Sequence, residues 1–157
     1  MKGRFPLAGH PAQRIIAGVV YCSLTITTSK AIASAELVGV QFKAGHPTIG
    51  ELLSDSAKCP AAYEENALDD DVSVLMEMHD AVVEIVGFTD DQECSGAECR
   101  ALSLRRAQVV YDWLVAHGVS TNRLRAPVGR GSDLAIDSNE TELGRQRNRR
   151  AELQLVR

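Results

Sequence analysis

Val82-Val-Glu-Ile-Val-Gly-Phe88 is the stretch from which the architecture follows. It is short, rich in β-branched residues and apolar on both faces, so it reads as a central strand covered from both sides. Thr89-Asp90-Asp91 leaves the strand end, and residues 89–97 form a polar loop around Gly96. A helix is expected over about 98–117, with Leu102, Val109, Val110, Trp113 and Leu114 as its buried stripe and Gly118 as a left-handed stop.

Downstream, Arg123-Leu-Arg-Ala-Pro-Val128 reads as a third strand. Pro127 cannot donate to a ladder, which puts that strand at an edge. Gly129-Arg-Gly-Ser-Asp133 turns away, Glu142 to Asn148 forms a short helix, and Arg150 to Val156 alternates as a last strand with Ala151, Leu153 and Leu155 inward. Upstream, Leu37-Val-Gly-Val-Gln-Phe42 reads as a first strand with Val38, Val40 and Phe42 on one face. Residues 43–66 show no clear period and carry Gly45, Pro47, Gly50 and Pro60; they read as an irregular excursion with a short helix near 49–57. Asp69-Asp70-Asp71 is expected to open a helix running to Asp80, acids in a first turn complementing its dipole, with Leu68, Val72, Leu75 and Met76 as its apolar face. The order β-α-β-α-β-α-β predicts an α+β two-layer sandwich, one mixed sheet backed by helices.

The chain has 157 residues, 17 basic against 21 acidic, and 45% apolar residues, as an ordinary globular protein does. A net charge of -4 argues against a general nucleic-acid binder, and aromatics at 4% against a stacking platform. No apolar run reaches the roughly 18 residues of a spanning helix. Residues 1–35 contain Lys2, Arg4, Arg14 and Lys30 and no acid; an apolar segment follows Arg14, and Ala33-Ser34-Ala35 precedes Glu36. That order is the pattern of a secretory signal peptide, with an uncleaved N-terminal anchor as the other export-compatible outcome. Residues 36–157 would then form one domain in an oxidising compartment.

Three cysteines lie in that domain: Cys59, Cys94 and Cys99. Proximity around Ser95-Gly96 favours a Cys94–Cys99 bridge; Cys59 bonded to either of them, or three free thiols, are the alternatives. Charge is divided sharply. Residues 36–99 hold two lysines against 15 acids, while residues 100–157 hold 11 arginines against 6 acids. The basic half is patterned for helix and strand, so the two halves are expected to fold together and neutralise each other.

Gly87-Phe-Thr-Asp90, Leu102-Ser-Leu-Arg-Arg-Ala107, Gly129-Arg-Gly131 and Gly144-Arg-Gln-Arg-Asn-Arg-Arg150 together resemble the OmpA C-terminal-like (OmpA/Pal/MotB) peptidoglycan-binding domain family, in family order and with near-family spacing over roughly residues 82–157. The resemblance implies a non-catalytic module of the cell envelope that needs no cofactor. Its partner would be peptidoglycan, held through the diaminopimelate of the stem peptide, with other envelope proteins as a second class of partner and no nucleic acid. It implies a periplasmic place, associated with the cell wall or outer membrane of a Gram-negative bacterium.

By the same resemblance Asp90 and Arg106 grip the diaminopimelate. The chemistry is complementary: the ligand carries an ammonium and a carboxylate on one carbon, and arginine meets a carboxylate through two parallel donors. Thr89 and Leu102 are expected at the pocket rim, and Asn148 and Arg149 near the same site as secondary contacts. Read without the resemblance, Asp90 is a loop-capping carboxylate and Arg106 a surface arginine or an internal partner of Asp90. The rival reading is an envelope protein–protein interaction module of the same fold that no longer binds peptidoglycan.

Some positions depart from the family pattern. Gln41-Phe42-Lys43 lacks the usual aspartate, residues 43–66 are unusually long, and Cys99 stands where asparagine is usual. A Cys94–Cys99 bridge would restrict the loop that the asparagine otherwise steadies. An enzyme is not indicated: Ser103 and Ser132 lack a nearby histidine in the pattern, His46, His79 and His117 are scattered, the cysteine spacing fits no standard zinc site, and no phosphate loop occurs.

Overall fold

The computed structural model describes residues 37–156. The expected signal or anchor, residues 1–35, lies outside the described residues. Four strands, β1 (Val40–Gln41), β2 (Val82–Gly87), β3 (Val128–Gly129) and β4 (Arg150–Val156), make one mixed sheet in the order β1-β4-β2-β3. β4 runs antiparallel to both β1 and β2, and β2 runs parallel to β3. The helices are α1 (Leu53–Ser56), α2 (Ala61–Glu77), α3 (Gly96–Ala116) and α4 (Glu142–Asn148), with a 3₁₀ turn at Thr121–Arg123. The α+β sandwich and the edge position of the Pro127 strand agree with the sequence reading. No helix among the described residues is long and apolar enough to cross a membrane.

β2 is central, but the sheet is not equally covered on its two faces. Val83 and Ile85 are buried in the core with Leu68, Leu75, Val110, Leu114 and Leu153, whereas Val82 and Glu84 are only half-buried. Leu155, expected inward, is 38% exposed. The helices thus back one face. They come very close to it: a Cβ on Gly87 would lie 1.9 Å from the Ser103 carbonyl oxygen, so only glycine lets α3 lie this low on the strand. That close approach brings the α3 side chains to the C-terminal end of β2.

The first strand is far shorter than Leu37–Phe42, and Val38 is 72% exposed rather than sharing the face of Val40 and Phe42. Gly39 has φ +72°, which breaks the two-residue alternation between them. The second helix begins at Ala61, not Asp69, so the Asp69-Asp70-Asp71 run lies in its interior and not in its first turn. Its buried face is Glu64, Leu68, Asp71 and Leu75, a helical stripe in which every second member is an acid. Both acids accept from the backbone of the first strand region: Asp71 from Val38 N–H (2.9 Å) and Gly39 N–H (3.1 Å), Glu64 from Gln41 N–H (2.8 Å). Met76, expected on the apolar face, is 41% exposed.

The third strand is likewise reduced. Residues 121–123 form the 3₁₀ turn, Leu124 makes a single bridge to Val83, and regular pairing is confined to Val128–Gly129. α4 and β4 have the expected bounds.

Candidate functional site

The site lies where β2 ends. Phe88 N–H donates to the Arg150 carbonyl at 2.8 Å, continuing the contact with β4, and Thr89 N–H donates to the Gly131 carbonyl at 2.9 Å. Thr89, Asp90, Leu102, Arg106, Asn148 and Arg149 are all buried.

Asp90 uses both carboxylate oxygens. Oδ1 accepts from the backbone N–H groups of Gln92 (2.7 Å) and Glu93 (2.8 Å), turning the loop. Oδ2 accepts from Arg149 Nη1 at 2.8 Å. Burial pushes the Asp90 carboxyl up, but the Arg149 hydrogen bond and charge and the two backbone donors outweigh it and hold the group below the usual aspartate range. Arg149 Nη2 goes on to Glu142 (2.5 Å) and Gln146 (3.1 Å).

Arg106 is completely buried, and all five of its N–H donors are used. Nε donates to the His46 carbonyl (2.9 Å). Nη1 donates to the Phe88 carbonyl (2.8 Å) and to Glu93 Oε1 (2.6 Å). Nη2 donates to the Lys43 carbonyl (3.2 Å) and to Glu93 Oε2 (2.8 Å). Burial is the largest influence on its pKa and lowers it, against the raising effect of Glu93. The Phe42 ring lies 5.4 Å from the guanidinium carbon.

The sequence reading placed Asp90 and Arg106 side by side as an open clamp. Both are buried at the strand end, but no hydrogen bond joins them: Arg149 takes Asp90 and Glu93 takes Arg106. Glu93 carries no signal of this role in the sequence: it follows Asp90 and Asp91 in a polar loop, where neither period nor motif sets it apart. The cover over Arg106 comes from the carbonyls of Lys43 and His46 in the excursion, a segment with no role assigned from the sequence. Its signal was weak because it acts through carbonyl groups, which every residue type carries.

The remaining expected residues have separate tasks. Asn148 Oδ1 accepts from the N–H groups of Ile136 (2.8 Å) and Asp137 (3.1 Å), and its Nδ2 donates to the Asp137 carbonyl (2.9 Å) and Asn139 Oδ1 (2.7 Å). It fastens the loop before α4 rather than facing Asp90. Leu102 is packed inside. Among the described residues, two buried side-chain polar atoms have no hydrogen-bond partner, Thr89 Oγ1 and Arg149 Nε. Cys94 and Cys99 form a disulfide with their Cα atoms 5.1 Å apart, and Cys59 is free and exposed. No group of three or more His, Cys, Asp or Glu among the described residues is arranged to hold a metal ion.

The two halves of opposite charge meet here. The ion pairs that join them, Arg106–Glu93 and Arg149–Asp90, involve side chains no more than 4% exposed, whereas the other arginine pairs among the described residues lie within the basic half.

With strand end, helix and arginine cluster in place, the model of the OmpA family matches residues 54–149. The chain belongs to the OmpA family. It is 43% identical over 94 residues to the peptidoglycan-binding protein ArfA of Mycobacterium tuberculosis (strain ATCC 25618 / H37Rv), a match covering 60% of this chain and 28% of ArfA. It is 36% identical over 90 residues to the probable lipoprotein YiaD of Escherichia coli (strain K12), covering 57% of this chain and 40% of YiaD. The chain thus matches well under half of each of these relatives. Among solved structures it is similar to the peptidoglycan-associated lipoprotein of Burkholderia pseudomallei, with TM-score 0.59, 21% identity and coverage of 76% of this chain and 91% of that one. The C-terminal domain of Helicobacter pylori MotB gives TM-score 0.59 at 20% identity over 76% of this chain and 86% of that one. At those identities the likeness is one of fold.

Proposed function

We propose that this OmpA-family domain is a non-catalytic peptidoglycan-binding module of the bacterial cell envelope, and that it holds the diaminopimelate of the stem peptide at the end of β2. The observation that carries the reading is the convergence there of Asp90, Arg106 and Arg149, all buried, beside the unpartnered Thr89 hydroxyl and Arg149 Nε–H. A zwitterionic headgroup needs a carboxylate for its ammonium and a guanidinium fork for its carboxylate, and both are within this cluster. Family membership and the likeness to ArfA support the same ligand class. Location outside the cytoplasmic membrane, with a disulfide that persists in an oxidising compartment, follows from that role.

The test is co-sedimentation of the full chain with isolated sacculi, together with calorimetric titration of meso-diaminopimelate. Asp90→Asn and Arg106→Lys, each checked for folding by circular dichroism, are expected to weaken binding about 30-fold or more, the effect of losing roughly 2–5 kcal/mol from a buried charge-assisted contact. Sacculus binding retained at wild-type strength in both folded variants would eliminate this site. A second reading has one observation in its favour: every charged group in the cluster already has an internal partner, as a purely structural core would have. On that reading the domain joins an envelope assembly without touching peptidoglycan, and wild-type protein fails to sediment with sacculi.

A further inference from the structure

Four donors converge on the Glu93 carboxylate. Arg106 Nη1 and the Asp90 N–H (3.2 Å) reach Oε1; Arg106 Nη2 and the Gly45 N–H (2.8 Å) reach Oε2. This is a carboxylate hole made by two backbone amides and a bidentate guanidinium, and a side chain of the protein fills it. The three other Arg106 donors are committed to the carbonyls of Lys43, His46 and Phe88, so an incoming ligand finds none free. Of the groups that accept hydrogen bonds from the guanidinium, only Glu93 is a side chain; the rest are backbone.

We infer that Glu93 is a resident stand-in for the ligand's carboxylate, and that binding at Arg106 proceeds by exchange, one carboxylate entering the hole as the other leaves. The inference rests on the proposed diaminopimelate reading for the identity of the incoming group. The surroundings suit an exchange. The Glu93 side chain is 4% exposed, yet Asp91, Gln92 and Ser95 beside it and Ala44 and Gly45 above it are exposed, so a side-chain rotation delivers Glu93 to water. Like replaces like: the buried guanidinium is never left uncompensated, and the carboxylate released is rehydrated as the ligand's is desolvated. The Cys94–Cys99 disulfide follows Glu93 immediately and ties its loop to the first turn of α3, keeping the occupant close to the hole. Lys43, Gly45, His46 and Glu93 therefore set both affinity and selectivity, because a ligand without a carboxylate has nothing with which to displace the resident one.

An occupied hole lowers apparent affinity by the fraction of molecules in which it is open. Glu93→Gln, which removes the competing charge but keeps an acceptor in place, is expected to bind meso-diaminopimelate about tenfold or more tightly than wild type. Glu93→Ala leaves the hole empty, and sodium acetate is expected to raise its melting temperature by mass action, while equal sodium chloride does not and wild type does not respond to acetate. Where wild type binds meso-diaminopimelate, unchanged or weaker binding by folded Glu93→Gln overturns the exchange. So does a Glu93→Ala protein indifferent to acetate. Should Glu93→Ala not fold, the Glu93→Gln titration decides alone. Failure of the underlying reading has a different signature: acetate stabilises Glu93→Ala, yet neither wild type nor Glu93→Gln takes up meso-diaminopimelate or sacculi. That result overturns the ligand assignment and leaves a carboxylate hole for a different guest.

Discussion

Two pairs of buried carboxylates divide this molecule. Glu64 and Asp71 on α2 accept only backbone N–H groups, from Gln41, Val38 and Gly39. Asp90 and Glu93, in the loop after β2, meet arginines as well as backbone. The first pair fastens a two-residue edge strand that has too few ladder bonds to hold itself. With no cation hydrogen-bonded to either acid, burial outweighs the backbone bonds and both pKa values rise. In the second region Arg149 reverses the outcome for Asp90, whose pKa falls. A buried acid that serves as a structural staple is therefore distinguished from one in the charged cluster by its counter-ion, not by its burial.

Removing the cation should produce the largest effect. Arg106→Ala leaves Glu93 buried without its partner and breaks five hydrogen bonds to carbonyl and carboxylate oxygens, and is expected to cost about 3–5 kcal/mol in urea unfolding. A loss no larger than that of an exposed arginine would mean the pair contributes nothing to stability and the distinction fails. Asp71→Ala comes next: two backbone N–H groups lose their acceptor, an expected cost of about 1–3 kcal/mol. It should also raise amide exchange at Gly39 while leaving sacculus binding unchanged, since α2 acts on β1 and not on the arginine cluster.

The smallest effect, and the sharpest contrast, is in pH dependence. Asp90, with its pKa depressed on folding, contributes stability that is present above its unfolded pKa and lost as pH falls through the lower folded value. Asp71 and Glu64, with pKa values raised, contribute stability that is complete below their unfolded values and lost as pH rises through the higher folded ones. Urea unfolding measured from below the ordinary carboxylate range to neutrality should show the acid-side loss reduced in Asp90→Asn. The decline above that range should be reduced in Asp71→Asn. Parallel profiles for the two variants would remove the distinction between the regions.

How much of this was legible varied with how far each element depended on distant partners. β2, α3, α4 and β4 carry their signals locally, in β-branched runs, a helical stripe and clean alternation, and the family motifs lie on these same elements. The start of α2 was hidden because Glu64 and Asp71 occupy two of the four buried positions of its stripe, and hydrophobic periodicity counts acids as solvent-facing. Val38 was misplaced because Gly39 reads as an ordinary strand residue until its positive φ is seen. In the site, Asp90 and Arg106 read from the sequence as a complementary pair, whereas in the fold each pairs with another residue. The true partners, Arg149 and Glu93, lie 59 and 13 residues from them.

The order of residues along the chain determined the architecture, the family, and the gathering of acidic and basic halves on either side of one loop, because those follow from local periodicity and from motifs whose spacing is written in the sequence. Which acid meets which arginine was decided only in three dimensions. A guanidinium buried by close packing over Gly87 must satisfy five donors at once, and it takes whichever oxygens the folded chain brings within reach: here three carbonyls, two of them from a segment sixty residues away, and the carboxylate of Glu93.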